Sequence, residues 1–123
     1  MISDLYKRFY YIKKTLFPRW DLNHEWKITN NNEKIFNIEN NLKTEFLGYC
    51  DKKSKTIYLN LREDDWKIDM LIVHEICHTY RNCSSHGKGW KAKMSSVAHR
   101  CDRIKNFQLA DQIRHEIENY EKL

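Results

Sequence analysis

The sequence predicts an α+β chain: an N-terminal helix, a small, mainly antiparallel sheet of about three strands, then a histidine-bearing helix and two further helices. Three observations carry that order. Apolar residues recur every three or four positions near both ends of the chain, and between residues 23 and 61 the period shortens towards two. With 123 residues, 41% of them hydrophobic, the chain suffices for one core and one domain spanning 1–123.

The first helix is read over residues 3–17, where Leu5, Phe9, Ile12 and Leu16 make one stripe and Pro18 stops it. Trp26 and Ile28 alternate with His24, Lys27 and Thr29, which predicts a strand over 23–29. The asparagine-rich stretch 30–42 reads as a loop with a poorly defined strand around 35–38. Residues 46–51 and 56–61 flank Lys52-Lys53-Ser54-Lys55 and predict a hairpin, although its turn lacks an Asn-Gly or Asp-Gly pair. Trp66, Met70, Val73, Cys77 and Tyr80 then recur at helical spacing, with Asp64 or Asp65 as the N-cap. A following helix over 89–99 turns Trp90, Met94, Val97 and Cys101 inward. The last carries Ile104, Phe107, Ala110, Ile113, Ile117 and Tyr120 as a core stripe through Glu121. No internal repeat or linker divides the chain.

Chemistry concentrates in His74-Glu75-Ile76-Cys77-His78, which reads H-E-x-x-H. At 3.6 residues per turn, histidines four apart share a helix face and can hold one zinc ion from one side. Glu75 then lies beside the ion rather than on it, as the general base of a metal hydrolase. Ile76 and Cys77 fill the free positions with apolar side chains, and Cys77 reads as a small buried hydrophobe. Two imidazoles hold zinc poorly, so a third ligand is needed. His86 is the nearest candidate, in a segment of small and polar residues with two glycines. Metzincin spacing would need glycine and histidine where Arg81 and Ser84 stand, and is excluded. Asp102, Glu116 and Glu118 on later helices, and His99, are the other candidates.

The run His86-Gly87-Lys88-Gly89-Trp90-Lys91-Ala92-Lys93-Met94, together with the H-E-x-x-H helix, resembles the SprT-like metallopeptidases, the family that includes Spartan. Its signature places a third histidine before a glycine, an aromatic residue four positions on and often a methionine four further. Gly48-Tyr49-Cys50 and Thr56-Ile57-Tyr58-Leu59-Asn60 resemble the family's strand pair, so the likeness covers roughly residues 47–98. The resemblance implies a zincin-like fold, one zinc ion on His74, His78 and His86, and Glu75 as catalytic acid/base. It also implies hydrolysis of peptide bonds in proteins, among them DNA-associated or DNA-crosslinked ones. Trp90 and Met94 would pack beneath the site. The reading is a single SprT-like domain over 1–123 without a C-terminal zinc ribbon, since Cys50, Cys77, Cys83 and Cys101 form no C-x-x-C pair.

The net charge of +5 is concentrated near the proposed metal loop. Arg81, Lys88, Lys91, Lys93, Arg100, Arg103 and Lys105 face a single acid, Asp102, and could give non-specific DNA contact through phosphate attraction. The competing reading is the solvated face of one helix. No apolar run of membrane-spanning length occurs, and the mean hydropathy is −0.83. An intracellular, cytoplasmic setting with four free thiols is expected. His24 and His115 read as exposed or structural, and Tyr80, Tyr58 and Arg81 are unranked candidates for stabilising an oxyanion. The same features also allow a zinc-stabilised DNA- or protein-binding module with little turnover. A third reading is a phage- or plasmid-type metallopeptidase acting on a specific regulator.

Overall fold

A helix whose apolar residues cover most of its circumference has to be buried over most of it. The computed structural model, which describes residues 4–61 and 67–121, forms such a helix at its centre, α3 (Ile68–His78). It follows α1 (Leu5–Leu16), β1 (Lys27–Thr29), α2 (Asn32–Leu42), β2 (Gly48–Asp51) and β3 (Thr56–Leu59), and precedes α4 (Lys88–Arg103) and α5 (Phe107–Glu121). The α+β class holds, with five helices and a mixed three-stranded sheet among the described residues. α3 packs against α1, α4, α5, β2 and β3. Met70, Val73 and Cys77 are buried as the periodicity predicts, but so are Ile72 and Ile76, leaving the helix no solvated stripe. Asp64, Asp65 and Trp66, expected at its start, lie outside the described residues, as does Ser3 at the predicted start of α1.

The sheet order is β1-β3-β2. β2 and β3 form the predicted antiparallel hairpin, whereas β1 joins β3 in parallel, Ile28 opposite Ile57. Because β3 lies between the other two strands, the segment joining β1 to β2 has to cross it. That segment is α2, where the sequence reading expects a loop and a weak strand. Asn31 Oδ1 caps the helix by accepting from Lys34 N at 2.9 Å, and Lys43 ends it in the left-handed region at φ 57°. Only Ile35 of α2 is buried, so its hydrophobic signal is slight. Ile28, Ile57 and Leu59 form the sheet face that meets the helices.

α1 buries the predicted stripe of Leu5, Phe9, Ile12 and Leu16, and one charge with it. Lys13 Nζ donates to Asp21 Oδ2 at 2.7 Å and to His24 Nδ1 at 3.1 Å. Burial raises the Asp21 carboxyl, but Lys13 and the backbone N–H groups of Glu25 and Trp26 outweigh it and hold it below the usual carboxylate range. A depressed carboxyl stabilises the fold above its unfolded value and loses that contribution as pH falls through the folded one. The thermal midpoint of the wild type should therefore exceed that of Asp21→Asn most clearly above about pH 4. The gap should close on further acidification, and a gap that widens below that pH would contradict the ion-pair account.

α4 turns Trp90, Met94, Val97 and Cys101 inward as expected. α5 departs from its predicted stripe at the start: Ile104 and Phe107 are exposed, while Leu109, Ala110 and Ile113 are buried. Lys105, at φ 64°, breaks the helical path between α4 and α5, so Ile104 and Phe107 sit at the corner rather than on one continuous face. Among the described residues no helix is long and apolar enough to cross a membrane.

Candidate metal centre

Three polar side chains on the buried α3, His74, Glu75 and His78, are only 6%, 4% and 8% exposed. Buried polar groups need partners, and each imidazole has one. His74 Nδ1 donates to Glu116 Oε2 of α5 at 2.7 Å, and His78 Nδ1 donates to the Cys83 carbonyl at 2.8 Å. A carboxylate and a carbonyl only accept, so both Nδ1 atoms carry the proton and both Nε2 atoms present lone pairs. The chain after α3 then folds back tightly. Asn82 adopts φ 64°, and a Cβ on Gly89 would collide with the Asn82 carbonyl. This return brings His86 Nε2 to 3.1 Å from both His74 Nε2 and His78 Nε2.

With His86 Nε2 also unprotonated, three lone pairs at that distance repel unless a positive charge lies among them. Tetrahedral zinc with Zn–N bonds of about 2.0–2.1 Å would space its nitrogens by about 3.3 Å, near the 3.1 Å that separates His86 Nε2 from each of the other two. His74, His78 and His86 are thus close enough to bind one metal ion. Burial pulls the His78 imidazole down to about 4, with the Cys83 carbonyl opposing and His74 and His86 assisting. Burial and the neighbouring His74 also lower His86, against Glu116. Neutral imidazoles are the form a metal requires.

Glu75 Oε2 lies 3.7 Å from His74 Nε2. Burial pushes its carboxyl up to about 7, His74 opposing and Glu116 assisting. β2 sets this position. Gly48 pairs with Leu59, so it faces α3, and a Cβ there would stand 2.5 Å from Glu75 Oε2. Any larger residue there would require the carboxylate to shift. An open cleft of about 400 Å³ lies over the site, lined by Gly48, Cys50, Lys52, Glu75, His78 and His86 among others.

Trp90 forms the floor, fully buried, with ring centroids 4.8, 5.6 and 4.7 Å from His74, His78 and His86. Its Nε1 donates to the His74 carbonyl at 3.3 Å. Met94, one turn on, is also fully buried. Tyr120 of α5 stacks on His86, centroids 3.8 Å apart and planes inclined by 17°. Sequence reasoning treats Glu116 only as an alternative ligand and Tyr120 only as core. The usable signal is a carboxylate within an apolar stripe, Glu116 lying three residues after Ile113 and four before Tyr120.

The other candidates lie elsewhere. Asp102 is paired with Arg114, Glu118 is exposed beside His115, and His99 is exposed. Tyr58 pairs with Tyr49 on the sheet face opposite Leu59, and Arg81 is exposed. Tyr80 packs on Phe17, with Lys93 Nζ 4.1 Å from its ring. His24 is structural, held by Lys13. All four cysteines are free, and burial pushes the Cys77 thiol well up. Of the basic flank, Arg100 Nε donates to the Thr15 carbonyl at 2.8 Å and Lys93 lies over Tyr80, so both brace α4 against the α1 side. Arg81, Lys88, Arg103 and Lys105 are exposed, and Lys91 is half-buried near enough to His86 to lower it. The chain matches no protein-family model, no curated protein and no solved structure.

Proposed function

We propose that the chain is a SprT-like, zinc-dependent metallopeptidase that hydrolyses peptide bonds of proteins. The observation that carries this reading is a buried carboxylate, Glu75, set beside three converging imidazole nitrogens at the base of an open cleft. Three protein ligands among the described residues leave a coordination position free, which suits a catalytic ion more than a structural one. When bound, zinc supplies the Lewis acidity that makes water nucleophilic at neutral pH and polarises a carbonyl.

The chain's own residues do the rest. Glu75 takes a proton from the attacking water as the C–O bond forms, and delivers it to the leaving nitrogen as the C–N bond breaks. Gly48 and the wall of β2 keep Glu75 aimed at the cleft. Proteins held on DNA are the substrate class that the family resemblance suggests, and the exposed Arg81, Lys88, Arg103 and Lys105 would supply phosphate affinity.

The test is hydrolysis of an unstructured protein, alone and with single- or double-stranded DNA, before and after metal removal. Chelation is expected to stop cleavage and stoichiometric zinc to restore it. Cleavage that survives complete removal of metal would exclude this mechanism.

A further inference from the structure

We propose that the last two turns of α5 belong to the metal site. Tyr120 and Glu116, one turn apart, act as positioning residues that hold the imidazoles of His86 and His74 to the ion, so metal binding and docking of this helix form one linked equilibrium. The inference rests on the metal reading above and extends it to a helix that supplies no ligand.

The three imidazoles are not equally constrained. His74 and His78 ride on one rigid, buried helix, and each is pinned through Nδ1. His86 sits on the loop before α4, half-buried, and among the described residues its Nδ1 makes no hydrogen bond. Its ring is instead held by two aromatic neighbours. Tyr120 stacks on it at 3.8 Å, and Trp90 meets it edge-on at 4.7 Å and 85°. Stacking therefore does for the loop histidine what hydrogen bonds do for the other two: it selects one ring orientation before the metal arrives. Glu116 works from the same face of α5. It orients His74 and, as a carboxylate acceptor, strengthens that imidazole as a donor to the metal.

Linkage makes the consequence reciprocal. If docked α5 raises metal affinity, bound metal must raise the stability of docked α5 by the same factor.

Three measurements on the full chain decide the matter: zinc affinity of the metal-free protein by chelator competition, the same for variants, and amide hydrogen exchange of residues 116–120 with and without zinc. Tyr120→Leu, which removes the ring, is expected to weaken zinc by about ten- to a hundredfold, the range for groups that orient metal ligands. Tyr120→Phe keeps the stack and should retain wild-type affinity. Glu116→Gln should weaken zinc as well, and zinc should slow exchange in the last two turns of the wild type. Wild-type affinity in Tyr120→Leu, an equal loss in Tyr120→Phe, or exchange in α5 indifferent to zinc would each overturn the proposal while leaving the triad standing. A wild type that binds no zinc would overturn the metal reading and this proposal together.

Discussion

Glu75→Gln is expected to lower hydrolysis of a protein substrate by about a hundredfold to ten-thousandfold while zinc stays bound at one ion per chain. The amide has the size of the carboxylate, so it fits the space that Gly48 leaves and the wall of β2 need not move. What it lacks is a basic oxygen that can take up a proton and give it back at neutral pH. Zinc is retained because the ligands are the three Nε2 atoms, and Glu75 is not among them. A second signature accompanies the loss. A carboxylate 4% exposed is costly to hold charged, so the metal-free amide variant should be at least as stable to heat as the metal-free wild type. Undiminished hydrolysis with full zinc would remove Glu75 from the chemistry. Zinc bound equally by both proteins, with no hydrolysis by either, would favour the binding module instead.

His86→Ala should weaken zinc by more than about a hundredfold, beyond the loss expected from any group that merely orients a ligand. The fold should survive, because the imidazole is half-exposed on a loop while Trp90, Met94 and α3 beneath it are buried in the core. The diagnostic comparison is thermal unfolding with and without zinc. In the wild type, zinc should raise the midpoint through preferential binding to the native state, and at the same zinc concentration the variant should show almost none of that rise. A variant that keeps full zinc would place the third ligand elsewhere. Glu116 is then the next group to test, since it already contacts His74, whereas Asp102 is paired with Arg114.

Features written in short stretches of chain were legible beforehand. The α1 stripe, the inward face of α4 and the pairing of His74 with His78 depend only on residues three or four apart. The hairpin was legible from its flanking strands but not from its turn, where Asp51 Oδ1 accepts from Lys53 and Ser54 N–H groups and Lys55 takes φ 52° in place of an Asn-Gly pair. α2 was missed because asparagine is a weak helix former and the helix buries one residue. Its anchorage is tertiary: Glu39 Oε2 accepts from Phe46 N at 3.0 Å. The site divided the same way. The grouping of His74, His78 and His86 beside Glu75 followed from the sequence, whereas Glu116, Tyr120 and the clearance at Gly48 depend on which distant elements meet α3.

The bond between His74 and Glu116 closes over 42 residues, and that separation orders events during synthesis. A chain growing from its N-terminus has both α3 histidines and Glu75 before it has α5. It is therefore made with an unbraced triad. On the proposed coupling of α5 to the metal site, full metal affinity should arrive only when α5 has emerged and docked against His74 and His86.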